Sequence, residues 1–226
     1  MDVVLFGTSG MVGQGALREC LQDPAVRRVI AVGRTELEEQ RPKLVQIVHA
    51  DLFDLSSLES RLRGLDACFF CLGVSSAGMT EPQYKHLTYD LTLKVASTLV
   101  RLNPGMTFIY VSGAGTDSTE RGRSMWARVK GATENALLRM PFKAAFMFRP
   151  GLILPLDGIK SKTRSYRIFY ELLGPLLRLV HRISPNSMTT TEHMGRAMLN
   201  LARGSRSESI LHGADINAAA RRREQI

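Results

Sequence analysis

A chain of 226 residues, 44% hydrophobic and 23% charged, can bury one sizeable core, and nothing in its composition suggests a disordered, collagenous or repeat protein. The apolar run at 172–180 is broken by Gly174, Pro175 and Arg178 and is too short to span a bilayer; a cleavable leader has no room before the glycine at position 7, so a cytoplasmic protein is expected. The net charge of +9, from 30 Lys plus Arg against 21 Asp plus Glu, is scattered, with only Arg221, Arg222 and Arg223 in a tight run, and gives no strong nucleic-acid signal.

Residues 2–6 form a short apolar run ending in glycine, and 11–21 carry helical spacing. Strand patterns follow at 28–32, 44–48 and 67–71, with helical patterns at 55–62 and 83–102. A fifth strand is expected at 107–111, a helix at 123–138 and a sixth strand at 144–148. Near-continuous apolar strands alternating with helices predict an α/β fold, a doubly wound parallel sheet covered on both faces.

Beyond Arg149 the pattern changes. Pro150, Gly151, Pro155 and Gly158 predict a loop, followed by a basic stretch at 160–167 and helices near 168–183 and 191–201. The expectation is one domain over 1–226, with 1–150 as cofactor-binding core and 151–226 as a small C-terminal helical cap on the substrate side. The leucine-rich first cap helix, with Arg178, His181 and Arg182, suits packing on the domain or on a second copy in a homodimer better than attachment to a membrane surface.

Cys20, Cys68 and Cys71 suit a reducing compartment. The Cys68–Cys71 spacing falls in an apolar strand, where residues three apart face opposite ways, so core thiols are expected rather than a redox or zinc pair. The five histidines show no ligand spacing, no metal site is expected, and His193 beside Glu192 reads as a helix surface pair.

Gly7-Thr8-Ser9-Gly10-Met11-Val12-Gly13 lies between the first strand and the first helix. Gly7 allows a tight turn, Gly10 a close approach of backbone to a pyrophosphate, and Gly13 close packing of helix on strand. A helix N-terminus there offers free N–H groups to phosphates. A dinucleotide-binding Rossmann loop is therefore expected; no nucleoside triphosphatase signature follows it. At the end of the second strand, where an acid would hold a ribose hydroxyl, stands Arg34. A guanidinium suits a 2′-phosphate, which predicts NADP in preference to NAD.

Together these residues resemble the short-chain dehydrogenase/reductase superfamily in its atypical, epimerase-like branch, and within it the Tat-interacting-protein-like group of NAD(P)-binding oxidoreductases. The resemblance covers nearly the whole chain and is strongest over 2–154. Val111-Ser112-Gly113 resembles the end of the family's fifth strand, where the serine polarises a substrate carbonyl. Phe148-Arg149-Pro150-Gly151 resembles the turn beside the nicotinamide. The resemblance implies that Asp51 and Leu52 border the adenine and that Leu72 and Gly73 border the ribose and pyrophosphate. It departs at Met125-Trp126-Ala127-Arg128-Val129-Lys130: where the family carries Tyr-x-x-x-Lys, Trp126 stands in the tyrosine's place. An indole N–H donates a hydrogen bond but exchanges no proton near neutrality. Ser112 and Lys130 remain as catalytic candidates, Lys130 also as a contact to the cofactor ribose, with Tyr84 a weaker replacement for the missing phenol, and Tyr89, Ser75, Ser76 and His86 near the same cleft. Tyr110 is expected in the core.

Two functions stand. One is an NADP(H)-dependent oxidoreductase acting on a small carbonyl or quinone-like acceptor. The other is a non-catalytic NADP(H)-binding redox sensor or scaffold.

Overall fold

The computed structural model describes residues 1–156, 188–204 and 208–221; the basic stretch and the helix expected at 160–183 lie outside them. Strand β1 (Asp2–Phe6) is buried along its whole length, as a parallel strand covered on both faces must be. Around it lie β2 (Arg28–Gly33), β3 (Leu44–Val48), β4 (Ala67–Phe70), β5 (Thr107–Val111), β6 (Ala144–Arg149) and, after a separate two-stranded ribbon of β7 (Ile153–Leu154) with β8 (Thr189–Thr190), the short β9 (Ile210–His212). The main sheet has seven strands in the order β3-β2-β1-β4-β5-β6-β9, every pairing parallel. This is the expected doubly wound Rossmann-type sheet. The chain leaves β1 for β2 on one side and later places β4 on the other, so a crevice opens between the carboxyl ends of β1 and β4.

Among the described residues the helices are α1 (Met11–Gln22), α2 (Glu81–Lys85), α3 (Leu91–Leu102), α4 (Met125–Leu138), α5 (Thr191–Arg203) and α6 (Gly213–Arg221). The helical pattern at 55–62 is a 3-10 helix, Ser56–Leu62. The pattern at 83–102 is one helical path, in which a π turn, His86–Asp90, joins α2 to α3. Thr80 and Gln83 close a capping box at its start.

Strand alternation splits the core into two. Val3, Leu5, Phe69, Ile109 and Phe148 pack beneath α1, α5 and α6. Val4, Phe6, Cys68, Phe70, Phe108 and Tyr110 face the other way, towards α3 and Leu137 of α4. The period of two places Cys68 and Cys71 against opposite core layers, and all three cysteines are free thiols. Burial pushes the Cys71 thiol up to about 12, an inert state for a nucleophile.

The described C-terminal residues join the sheet and its helix layer. β9 extends the sheet beside β6, and α5 crosses α1 at close range. A Cβ on Gly15 would lie 2.5 Å from the Thr191 carbonyl oxygen, and one on Gly195 2.7 Å from Glu19 Cγ, so glycine on each helix permits the crossing. Glu19, buried there, is raised by loss of water although Arg196 reaches it at 3.2 Å. His193 is half-buried rather than a surface pair: its ring bonds Asn217, which also holds Thr189 and the Met188 carbonyl.

Candidate functional site

The glycine loop occupies the crevice end of β1. Gly7 has φ +81°, and a Cβ on it would stand 2.6 Å from the Leu72 nitrogen, so both backbone conformation and space require glycine. A Cβ on Gly13 would lie 2.1 Å from the Gly7 carbonyl oxygen. The loop closes through Gly10 N–H donating to the Gly7 carbonyl at 2.9 Å. Thr8 is buried, and the Ser9 carbonyl accepts from Gln14 Nε2. Gly10 is the N-cap of α1 and no side chain caps the helix, which leaves first-turn N–H groups for an anion. Across the crevice a Cβ on Gly73 would meet nothing within 4 Å. A dinucleotide backbone fits this cradle: tight where the protein packs on itself, open where a phosphate would approach.

The outer end of the site lies along β2 and β3. Arg34 is exposed and makes no ion pair among the described residues. Its neighbour Thr35 lines a hollow with Thr8 and Ser9, bounded by the 35–39 loop that Gln46 ties down through Leu37 and Glu39. Asp51 is exposed, its carboxylate accepting from Phe53 N–H, whereas the Leu52 side chain is buried in the core and presents at most its backbone.

The inner end is a cleft of about 770 Å³ between the ends of β4 and β5. Met11, Val12, Leu72, Gly73, Ser112, Trp126, Lys130, Pro150 and Gly151 all line it, joined by Tyr84, Ser75 and Ser76. Tyr89 and His86 do not: Tyr89 receives the Lys85 ammonium over its ring, and His86 stacks on Phe53 at 4.5 Å. Tyr84 is 2% exposed and burial raises its phenol; Tyr110 is core, as expected. Trp126 is held from below. The loop entering α4 is folded around Asp117, which accepts hydrogen bonds from Thr119, Arg121 and Gly122. Gly115, at φ +85°, lets the indole approach: a Cβ there would lie 3.4 Å from Cη2. Arg128 fastens α4 to Glu81 of α2 at 2.6 Å.

Two expectations about side chains are corrected. Ser112 lines the cleft, but its hydroxyl is turned inward: it donates to Glu134 at 2.5 Å, with the Phe148 carbonyl at 3.0 Å. Arg149 is also turned inward. Its guanidinium grips Glu134 with two nitrogens and donates to Ser118 Oγ at 2.5 Å, so this turn lines the cleft through Pro150 and Gly151 and not through Arg149. Both corrections have one cause, the fully buried carboxylate of Glu134, which needs compensation and draws in the nearest donors. Sequence reasoning missed Glu134 altogether; its only signal was its place one turn after Lys130. Lys130 Nζ donates to the Ser112 carbonyl oxygen at 2.5 Å, and burial lowers its ammonium to about 8. Among the described residues no cluster of His, Cys, Asp or Glu could hold a metal, and no helix is long and apolar enough to cross a membrane.

No protein-family model matches the chain. It is 27% identical over 232 residues to the protein fmp52, mitochondrial, of Emericella nidulans, covering 95% of this chain and 97% of that one. It is 30% identical over 185 residues to FMP52, mitochondrial, of Saccharomyces cerevisiae, covering 80% and 77%. Protein HTATIP2 of Rattus norvegicus is 27% identical over 155 residues, covering 68% and 63%. Among solved structures, a short chain dehydrogenase from Burkholderia cenocepacia in complex with NADP aligns with a TM-score of 0.66 at 14% identity, covering 93% of this chain and 86% of the other. The UDP-N-acetylglucosamine 4-epimerase of Methanobrevibacter ruminantium aligns at 0.69 and 14%, covering 93% and 75%. The mitochondrial names of the fungal relatives overturn the cytoplasmic expectation. That expectation was read from composition and from the position of the glycine loop, and neither carries information about the route of a protein to an organelle. With a relative 30% identical over four fifths of its length, the chain belongs to the FMP52 family, and its fold, with the switch-point crevice and the glycine cradle, is that of short-chain dehydrogenase and epimerase structures.

Proposed function

We propose that this protein is an NADP(H)-dependent oxidoreductase acting on a small carbonyl or quinone-like acceptor. One observation carries the reading: Met11 and Val12, at the helix end of the glycine cradle, line the same cleft as Trp126 and Lys130. A reduced nicotinamide bound there would supply the hydride. The protein's part is to hold the pyrophosphate on the N-terminus of α1, to offer a flat aromatic wall to a planar acceptor, and to keep bulk water from one side of it. The same reading assigns Gly7 to Gly13, Leu72, Gly73, Asp51 and the Pro150–Gly151 backbone to the cofactor. Titration with NADPH should quench the fluorescence of Trp126, the single tryptophan, and a panel of carbonyls and quinones should then oxidise the bound cofactor. Absence of quenching together with absence of binding by calorimetry would remove the enzyme reading.

Preference for NADP rests on Arg34, exposed and without an acidic partner among the described residues. A charge-assisted hydrogen bond is worth about 1.5–3 kcal/mol. Arg34→Asp is therefore expected to weaken NADPH binding by roughly 10- to 100-fold, with NADH affected far less and the NADPH loss shrinking at high salt. Equal losses for the two cofactors would refute the assignment.

A second reading, a non-catalytic NADP(H) sensor or scaffold, is favoured by Trp126 in the tyrosine position and by the inward Ser112 hydroxyl. Trp126→Tyr separates the two. If that variant reduces carbonyls and the wild type reduces no acceptor, the sensor reading holds; wild-type turnover excludes it.

A further inference from the structure

The cleft lacks the acid that its family uses, and what replaces it can be argued from the groups that remain. This inference rests on the oxidoreductase reading above. Trp126 cannot release a proton near neutrality. The single proton of the Ser112 hydroxyl is committed inward, because both of its partners, Glu134 Oε1 at 2.5 Å and the Phe148 carbonyl at 3.0 Å, are acceptors. Ser112 can therefore accept a hydrogen bond from the cleft but has none to give. Tyr84 is a buried phenol raised by loss of water, and the Cys71 thiol is pushed up to about 12.

Lys130 differs from all of these. It sits one helical turn beyond Trp126 on α4, lines the cleft, and commits one of its three N–H groups to the Ser112 carbonyl oxygen at 2.5 Å. That bond fixes Nζ beside the strand end where an acceptor would stack, and leaves two protons uncommitted by it. The geometry points to Lys130 as the direct proton donor to the acceptor oxygen, in the role the missing tyrosine would have filled.

The step balances as follows. The carbonyl carbon receives a hydride from the reduced nicotinamide, the C=O π pair moves to oxygen, one Nζ–H bond breaks, and its proton forms the O–H bond of the product alcohol. The acceptor is reduced by two electrons, the nicotinamide is oxidised by two, and the neutral amine regains its proton from solvent. The surroundings suit this cycle. Burial of Lys130 disfavours its charge and brings it to about 8, while Glu134 on the same helix works in the opposite sense. From the other elements packed around it, Arg149 of β6 takes up the Glu134 carboxylate, and Tyr84 of α2 and Cys71 beyond β4 face the cleft as neutral groups. An ammonium so placed is largely protonated at pH 7 and gives up its proton more readily than an exposed lysine.

The test uses the full chain and three variants. In Lys130→Arg the charge and the donor to Ser112 are kept, but a guanidinium does not release a proton. In Lys130→Met both are lost, and Trp126→Phe controls for the neighbouring aromatic. NADPH affinity is measured by calorimetry for each, so that loss of binding is separated from loss of chemistry. The wild type should reduce a carbonyl acceptor with a rate that is level at neutral pH and falls tenfold per unit above about 8. Lys130→Arg should bind NADPH within about 10-fold of wild type yet lose roughly 10²- to 10⁴-fold in turnover, the usual contribution of a positioned acid. In the protein without cofactor, NMR of reductively ¹³C-methylated lysines should show one resonance, absent from Lys130→Arg, titrating more than a unit below the rest. Wild-type turnover with full activity in Lys130→Arg, or a Lys130 resonance titrating with the surface lysines, would overturn the assignment and leave the oxidoreductase reading standing. A wild type that oxidises NADPH with no acceptor at all would sink both.

Discussion

Gly13→Ala is expected to abolish measurable dinucleotide binding. The added methyl would lie 2.1 Å from the Gly7 carbonyl oxygen and 2.9 Å from Thr8 Cα, and both neighbours are backbone, so the loop itself has to move. Overpacking of this kind costs about 1–3 kcal/mol in stability. The larger effect falls on the ligand, because the displaced loop no longer aims first-turn N–H groups of α1 at a phosphate; each charge-assisted bond lost is worth about 1.5–3 kcal/mol, which makes a weakening of at least about 100-fold. Calorimetry with NADPH and thermal unfolding read the two effects separately. Gly73→Ala is the informative partner. A Cβ there meets nothing in the protein, so stability should stay within about 0.5 kcal/mol while binding still falls. Unchanged NADPH affinity in Gly73→Ala would show that the pyrophosphate does not pass over Gly73.

Glu134→Ala should be the most destabilising single change at the site. Glu134 is fully buried and Arg149 nearly so, and removing one partner strands the other's charge away from water. Breaking a buried pair costs about 3–5 kcal/mol. At about 2–4 °C per kcal/mol for a chain of this size, the melting temperature should fall by roughly 6–20 °C. The double replacement Glu134→Leu with Arg149→Met should recover much of that loss, since it removes both charges together. A fall of less than about 2 °C in Glu134→Ala would mean that Arg149 finds solvent and that the pair does not organise the cleft. The change also frees the Ser112 hydroxyl, so any gain in carbonyl reduction in the double variant would report how far its inward turn limits the wild type.

Much of the fold was legible because its signals are local. Continuous apolar strands, such as Asp2–Phe6 and Thr107–Val111, separated by helical spacing, admit few arrangements other than a parallel sheet. β9 was not legible: three residues, Ile210–His212, carry no period, and they form a strand only because β6 has an open edge beside them. The ribbon of β7 with β8 joins segments far apart in the chain, which no local pattern announces. In the site, Gly7 and Gly13 could be read from spacing because their necessity is steric and lies within the loop itself. The roles of Ser112 and Arg149 could not. A resemblance supplies residue types at positions, but the direction of a side chain depends on what else is buried beside it, and here that is Glu134, distant from both in sequence.

The sequence by itself determined the class of fold, the glycine cradle and its place between the first strand and helix, which follow from periodicity and from the conformations only glycine allows. The resemblance added that Trp126 stands where the family carries tyrosine and that Lys130 matches its lysine. Tertiary structure alone decided which donors remain free. Burying the Glu134 carboxylate requires partners, and the partners it takes are the Arg149 guanidinium and the Ser112 proton. Charge compensation in a medium without water thus commits the Ser112 proton and the Arg149 guanidinium inward and leaves Lys130 as a donor lining the cleft.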